Sequence, residues 1–494
     1  MPVHYATTQN SPLKLRTTSI PTTGKIFKAD DVNQSLLVEL DGATVHEDTL
    51  STSHYILDQC KKIAPAVMQS VPGQRGSNGL KVTLLKLKDN FFYRDGRWEP
   101  MTIPHILRST DAGSLPRRSS KRGRLVSGLQ RETIHRPVSG TSGEIVEGTF
   151  IPAVGLEENH IANWLNGITE ALQVLIPESI LPAPIVSENA TVRRILMRST
   201  KPLTKPLRVW SSEASCKPVK GGPMSYKPDL VLQEEPSRLR PKPEFSWKDV
   251  VSFLELSSTP YSNSGSTSTI RNNVMCKAYA IFVSQPGRQF LFAISIAHQE
   301  FRTHMFDRSG VVHSRPYNIH RFPRTLLCIL ALLTFCKPEQ VGYDPTIIYF
   351  SPHPSQNTGH STIQVGSLIY DIIKRVFFNY LICGRGTSCW HVCRDGQDYI
   401  VKDSWTHESW VDREKDILTK IRGLKGVPQL VAAWTVQIGG KDDRTDTCRP
   451  IPASSSIRVH WWLLMQPVGI PLSDFQSIHE LLSIFIDVLD STFQ

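Results

Sequence analysis

The chain has 494 residues, 40% of them hydrophobic, and a formal net charge of +11. That length is enough for two or three buried cores and excludes a small disulfide scaffold, as does the odd count of nine scattered cysteines. The longest apolar run, "TLLCILALLTFC" from Thr325 to Cys336, falls well short of the ~20 residues of a membrane span, and the N-terminus lacks a signal-peptide core. The cysteine usage therefore predicts a reducing compartment, cytoplasmic or nuclear, and no membrane partner.

In chain order, residues 1–112 read as an N-terminal helical and mixed unit. "STSHYILDQCKKIAPAVMQSV" has helical apolar spacing, and "GLKVTLLKLKDNFFYRDGRW" reads as two strands around a turn at Asp95 and Gly96. Residues 113–143 form a Ser- and Arg-rich linker in which Arg117, Arg118, Lys121, Arg122 and Arg124 cluster. Such a run is either a solvated linker or a nuclear-targeting or nucleic-acid patch; it carries no interleaved aromatics for base stacking.

Residues 150–350 alternate strand and helix patterns and predict a compact mixed α/β module. Leu156, Ile161, Trp164, Leu165, Ile168, Leu172 and Leu175 recur at helical spacing. "PDLVLQ", "DVVSFLELS", "RQFLFAISIAHQ" and "FRTHMFDRSGVVH" read as strands, "NNVMCKAYAIFVSQ" and Arg324 to Cys336 as helices, and "TPYSNSGSTSTIRNN" as a surface loop. Asp229 and Glu255 each sit on a strand, a layout that lets two carboxylates share a hard cation. This resembles the restriction-endonuclease-like family, in which Glu-x-Lys follows the first acid, but Ser257 stands at the lysine position, with Gln285 and Arg288 downstream. In "FDRSG", Asp307 and Gly310 fit a tight β-turn, so a hairpin is expected there.

Residues 371–494 predict a five-stranded antiparallel sheet with one helix. "RVFFNYLI", "SCWHVC", "DYIVK", "GVPQLVAAWTVQI" and "IRVHWWLLM" read as its strands, with a hairpin turn at Asp395 and Gly396. Gly384, Gly386 and Thr387 in "GRGT" resemble a turn whose amides approach phosphate oxygens, and the strand after it carries Lys402. In "ESWVDREKDILTKIRGL", Glu414 shares a helical face with Trp410, Val411, Ile417, Leu418 and Ile421. An inward carboxylate needs a partner, and Lys402 is expected to supply it. Cys383, Cys389, Cys393 and His391 crowd the region without paired CxxC spacing, so zinc is not expected.

Taken in order, "KPDLVL", "FDRSG", "GRGTSCW" and "IVKDSW" resemble the fungal-type protein kinase family over roughly Asn159 to Gln494. The resemblance implies an α+β multidomain chain, with a nuclease-like α/β module followed by a kinase-like small lobe, hinge and the first large-lobe helix. It implies ATP with Mg as cofactor and a protein substrate, with Gly384, Gly386, Thr387, Lys402 and Glu414 at the phosphates, Met465 guarding the adenine pocket, and Gln466 and Val468 at its edge. No HRD occurs in the sequence, and no DFG-like motif follows Lys402. The large lobe is therefore expected to be missing, the chain to be inactive as written, and the last helix to expose Leu481, Leu482, Ile484, Phe485 and Leu489. Three functions follow: a kinase recorded as a fragment, a pseudokinase scaffold or nucleotide sensor, or a nucleic-acid-binding protein built on the nuclease-like module and the basic linker.

Overall fold

Two β-sheets organise the chain, the first from the α/β-patterned segment and the second from the strand-rich segment. The structure is a computed structural model, and it describes residues 29–40, 43–46, 59–60, 93–94, 97–98, 156–173, 208–234, 245–262, 264–348, 361–379, 381–424, 426–447 and 456–492. The basic linker lies outside the described residues, as does most of the helix expected in residues 51–71, of which 59–60 are helical.

Near the N-terminus, helix α1 (Ala29–Leu40) leads into strand β1 (Thr44–His46), and β2 (Tyr93–Arg94) and β3 (Arg97–Trp98) pair antiparallel, while the turn expected at Asp95 and Gly96 lies outside the described residues. Helix α2 (Leu156–Gln173) is followed by β4 (Arg208–Ser211), a one-turn helix α3 (Glu213–Cys216), β5 (Leu230–Glu234) and β6 (Ser252–Ser257). Helix α4 (Ser264–Ser284) then precedes β7 (Phe290–Ala297), β8 (Glu300–Asp307), β9 (Gly310–His313), β10 (Tyr317–Asn318) and helix α5 (Pro323–Phe335). The strand order is β1-β9-β8-β7-β6-β5-β4, with β10 also on β8.

Strand β7 is buried at every position, which its unbroken apolar run requires of a central strand covered on both faces. On one face α2 and the almost wholly buried α5 pack through Trp164, Leu165, Ile168, Leu326 and Leu330; on the other, α4 packs through Val274, Ala278, Ile281 and Phe282.

Two expectations change here. The Ser- and Thr-rich segment expected as a loop forms the first turns of α4, because Ile270 and Val274, four residues apart, are both buried against the sheet and extend the helical face. The N-terminal unit is not separate from the α/β module, since β1 pairs parallel with β9 and supplies its edge strand.

The second sheet has seven strands where five were expected, in the order β11-β12-β13-β14-β15-β19-β16. Strands β11 (Ile347–Ile348) and β12 (Thr362–Val365) extend the edge beside β13 (Leu368–Phe378), with Gly366 at φ +62° in the β12–β13 turn. Strand β13 starts earlier than expected and stops at Phe378, where Asn379 turns the chain and accepts the Leu381 amide at 3.1 Å. Strands β14 (Ser388–Arg394) and β15 (Gln397–His407) form the expected hairpin, with Asp395 at φ +52° and Gly396 at φ +76°.

Helix α6 (Arg413–Lys420), β16 (Gln429–Thr435), a short hairpin of β17 (Gln437–Ile438) and β18 (Lys441–Asp442), then β19 (Arg458–Gln466) complete the sheet. Helix α7 (Ile478–Thr492) follows, exposing Leu482, Phe485 and Leu489, together with Ile478 and Ile486. Leu481 and Ile484 are half-buried. No described helix is long and apolar enough to cross a membrane.

Candidate functional site

Side chains alternate along β15 and β19, so Lys402 shares one sheet face with Leu463 and Met465 while Val401, Trp462 and Leu464 fill the opposite face. Helix α6 covers the first face, packing Leu418 against Trp461 and Leu463. Glu414, one turn before Leu418 on that helix, thereby comes over Lys402. Lys402 Nζ donates to Glu414 Oε1, and Arg385 Nη2 donates to Glu414 Oε2 at 3.1 Å. The strand-lysine to helix-glutamate pair expected from spacing is therefore present, and a second cation shares its carboxylate.

Met465 pairs with Ile400, two residues along β15 from Lys402, and packs against the α6 cluster. Gln466 closes β19 opposite Gln429. Val468 lies two residues beyond the strand end, half-buried.

The glycine turn is built differently from the expectation. The Gly384 amide donates to the Arg308 carbonyl at 2.9 Å, so it is committed to protein. Gly386 has φ +48°, and a Cβ there would meet the Arg308 guanidinium at 2.6–2.8 Å. Glycine is needed at 386 because an arginine from the first sheet packs against it. The Thr387 carbonyl accepts the Asn379 amide at 2.8 Å and closes the base of the turn.

Arg308 belongs to "FDRSG", the expected hairpin. Asp307 pairs with Gly310 across it, and Asp307 Oδ1 accepts the Ser309 amide at 2.7 Å. This hairpin is the joint between the sheets. Arg308 is 1% exposed and donates to the carbonyls of Leu381 at 2.8 Å and Ile382 at 3.3 Å, while its guanidinium lies over the Phe282 ring. Burial pushes its pKa down to about 10, against the pull of Asp403 and Glu39. Ser309 Oγ lies 2.7 Å from Thr445 Oγ1 and 2.8 Å from the Ser456 carbonyl oxygen.

A second polar contact seals the joint. His460 on β19 bridges Asp403 and Asp443 at 2.8 Å each, with Trp405 stacked on its ring, and Gln289 from the first sheet donates to Asp443 at 2.8 Å. Burial opposes the charged ring, yet the two carboxylates outweigh it and raise the pKa to about 10. Sequence reading missed this cluster, whose members are dispersed and follow no periodic signal.

In the first sheet, Leu230 pairs with Leu254 in antiparallel register, which brings Asp229 opposite Glu255. Asp229 Oδ2 accepts the Leu256 amide at 2.7 Å. Lys277 on α4 reaches Glu255 Oε2 at 2.5 Å, so a helix supplies the ammonium that Ser257 lacks. Burial raises Glu255 to about 7, with Lys277 pulling it down and Asp229 pushing it further up. Gln285 and Arg288 lie elsewhere: Gln285 Nε2 donates to the Trp247 and Val250 carbonyls, and Arg288 to Val251 and Phe290.

Among the described residues no group of three or more His, Cys, Asp or Glu is arranged to hold a metal ion, and the eight described cysteines are free thiols.

No curated protein matches the chain at a significant level. A family model does: the one described as fungal protein kinase matches residues 227–453, a stretch that begins just before Asp229, crosses the Arg308 joint, contains Lys402 and Glu414 and ends before Met465. Over these residues the chain is similar to the fungal protein kinase family.

Proposed function

We propose that the second sheet and helix α6 form a nucleotide-binding, kinase-like module, with the phosphates of ATP at Lys402 and the adenine between Met465 and the segment Gln466 to Val468. The observation that carries this reading is the pairing of Lys402 with Glu414 on the sheet face that also bears Met465. A lysine paired with a helix carboxylate is held in place on the sheet face, where its ammonium can meet phosphate oxygens. Bound ATP would bring the transferable phosphoryl group. Among the described residues no group of three or more His, Cys, Asp or Glu side chains is placed to hold its Mg, and no step runs through the metal.

Phosphoryl transfer also needs an aspartate that orients the attacking hydroxyl, with further Asp and Asn ligands. The 494 residues hold no HRD, and no DFG-like motif follows Lys402. The reading for these residues is nucleotide binding. Thermal unfolding of the full chain with Mg-ATP, against Mg alone, tests it. Ligand at 100 times Kd adds about 2.7 kcal/mol of stability, and Lys402→Ala should abolish that shift. A wild-type chain with no nucleotide-dependent shift would sink the reading.

A second reading is favoured by Lys277. Asp229, Glu255 and a lysine share one end of the first sheet, and Arg302 lies over Tyr261 on the same face, a layout suited to a nucleic-acid phosphodiester in a restriction-endonuclease-like module. Fluorescence anisotropy with labelled duplex DNA should then show salt-dependent binding that weakens in Arg302→Gln. Absence of binding at low salt removes this reading.

A further inference from the structure

The glycine turn of residues 384–386 cannot act as an open cradle of amides on both sides. Its Gly384 amide is committed to the Arg308 carbonyl, the Arg385 carbonyl accepts the Trp405 amide at 2.7 Å, and Gly386 is closed by the Arg308 guanidinium. The side chain of Arg385 is what the turn sends toward Lys402, where the two cations bond separate oxygens of Glu414.

We propose that Arg385 is the phosphate-recognising side chain of this site, taking the polyphosphate of a nucleotide in place of the glycine-turn amides. The inference rests on the nucleotide reading above. Two cations against one carboxylate leave one positive charge in surplus, and a guanidinium carries five N–H donors, of which the bond to Glu414 uses one. Arg385 is 40% exposed and therefore reachable from solvent, whereas Arg308 behind the turn is sealed. The guanidinium fork matches two phosphate oxygens at once, which the Lys402 ammonium cannot do. Phosphate count, more than the base, then sets affinity, in the order ATP, ADP, AMP, adenosine.

Isothermal titration of the full chain with these four ligands tests the proposal, comparing wild type, Arg385→Gln and Arg385→Lys. Arg385→Gln should weaken ATP about tenfold or more and leave adenosine unchanged, with Arg385→Lys intermediate. An ATP-to-adenosine affinity ratio equal to wild type in Arg385→Gln overturns the role of Arg385 while leaving nucleotide binding standing. A wild-type chain that binds neither ATP nor adenosine overturns the nucleotide reading itself. Should Arg385→Gln fail to fold, Arg385→Lys gives the same decision, because it keeps the charge and removes the fork; an unchanged ratio there counts against the proposal.

Discussion

His460→Asn tests whether the joint between the sheets is held by a charged ring. His460 is 1% exposed and sits 2.8 Å from carboxylate oxygens of both Asp403 and Asp443. Its folded pKa of about 10 lies above the ordinary 6.5, so its contribution is complete below about pH 6.5 and is lost as pH rises toward 10. Each pKa unit corresponds to about 1.4 kcal/mol, which makes the whole contribution on the order of 5 kcal/mol. Asparagine keeps a donor for one carboxylate and removes the charge, stranding buried carboxylates at a cost of about 3–5 kcal/mol. Urea unfolding at pH 6, 8 and 9.5 measures this. The gap between wild type and variant should be widest at pH 6 and narrow by about 1.4 kcal/mol per unit above 6.5. A gap that stays constant across that range would mean the ring is neutral, and the argument from two flanking carboxylates would fail.

Gly386→Ala combines left-handed backbone strain of about 1 kcal/mol with overpacking of about 1–3 kcal/mol against an Arg308 side chain that two carbonyls pin in place. Gly366→Ala, at φ +62° with nothing within 4 Å of an added Cβ, should show left-handed backbone strain alone in the same denaturation assay, and equal losses at the two positions would refute the contact with Arg308. In the first sheet, Lys277→Met leaves Glu255 buried without its cation and should cost about 3–5 kcal/mol. The double variant Glu255→Leu with Lys277→Met should recover most of that loss in thermal unfolding; a double variant no better than the single would show that the pair is not self-contained.

Signals that lie within a few residues of each other were readable in the sequence. Asp395-Gly396 specifies its hairpin because both positions must take positive φ, and Glu414 is placed inward by apolar partners at three, four and seven residues. The FDRSG turn is equally local. What sequence concealed depends on distant residues: Gly386 is a glycine because of Arg308, 78 positions earlier (386 − 308 = 78), and Lys277 meets Glu255 only when α4 lies on its sheet. Strand β1 is three residues long and finds its register only against β9. The first turns of α4 are rich in Ser and Thr, whose weak helix preference is overridden by the burial of Ile270 and Val274.

The FDRSG hairpin gives the chain a mechanical linkage. Its strands belong to the first sheet, while its tip is bonded to the turn that carries Arg385 and to the segments flanking β19. The two sheets consequently share their boundary conditions: a displacement of β8 is a displacement of the turn beside Lys402. Any coupling between that turn and the first sheet would act equally in both directions. The family match runs unbroken through Arg308 and so includes both the hairpin and the glycine turn it holds; a cut between the sheets would break these bonds as well as the chain.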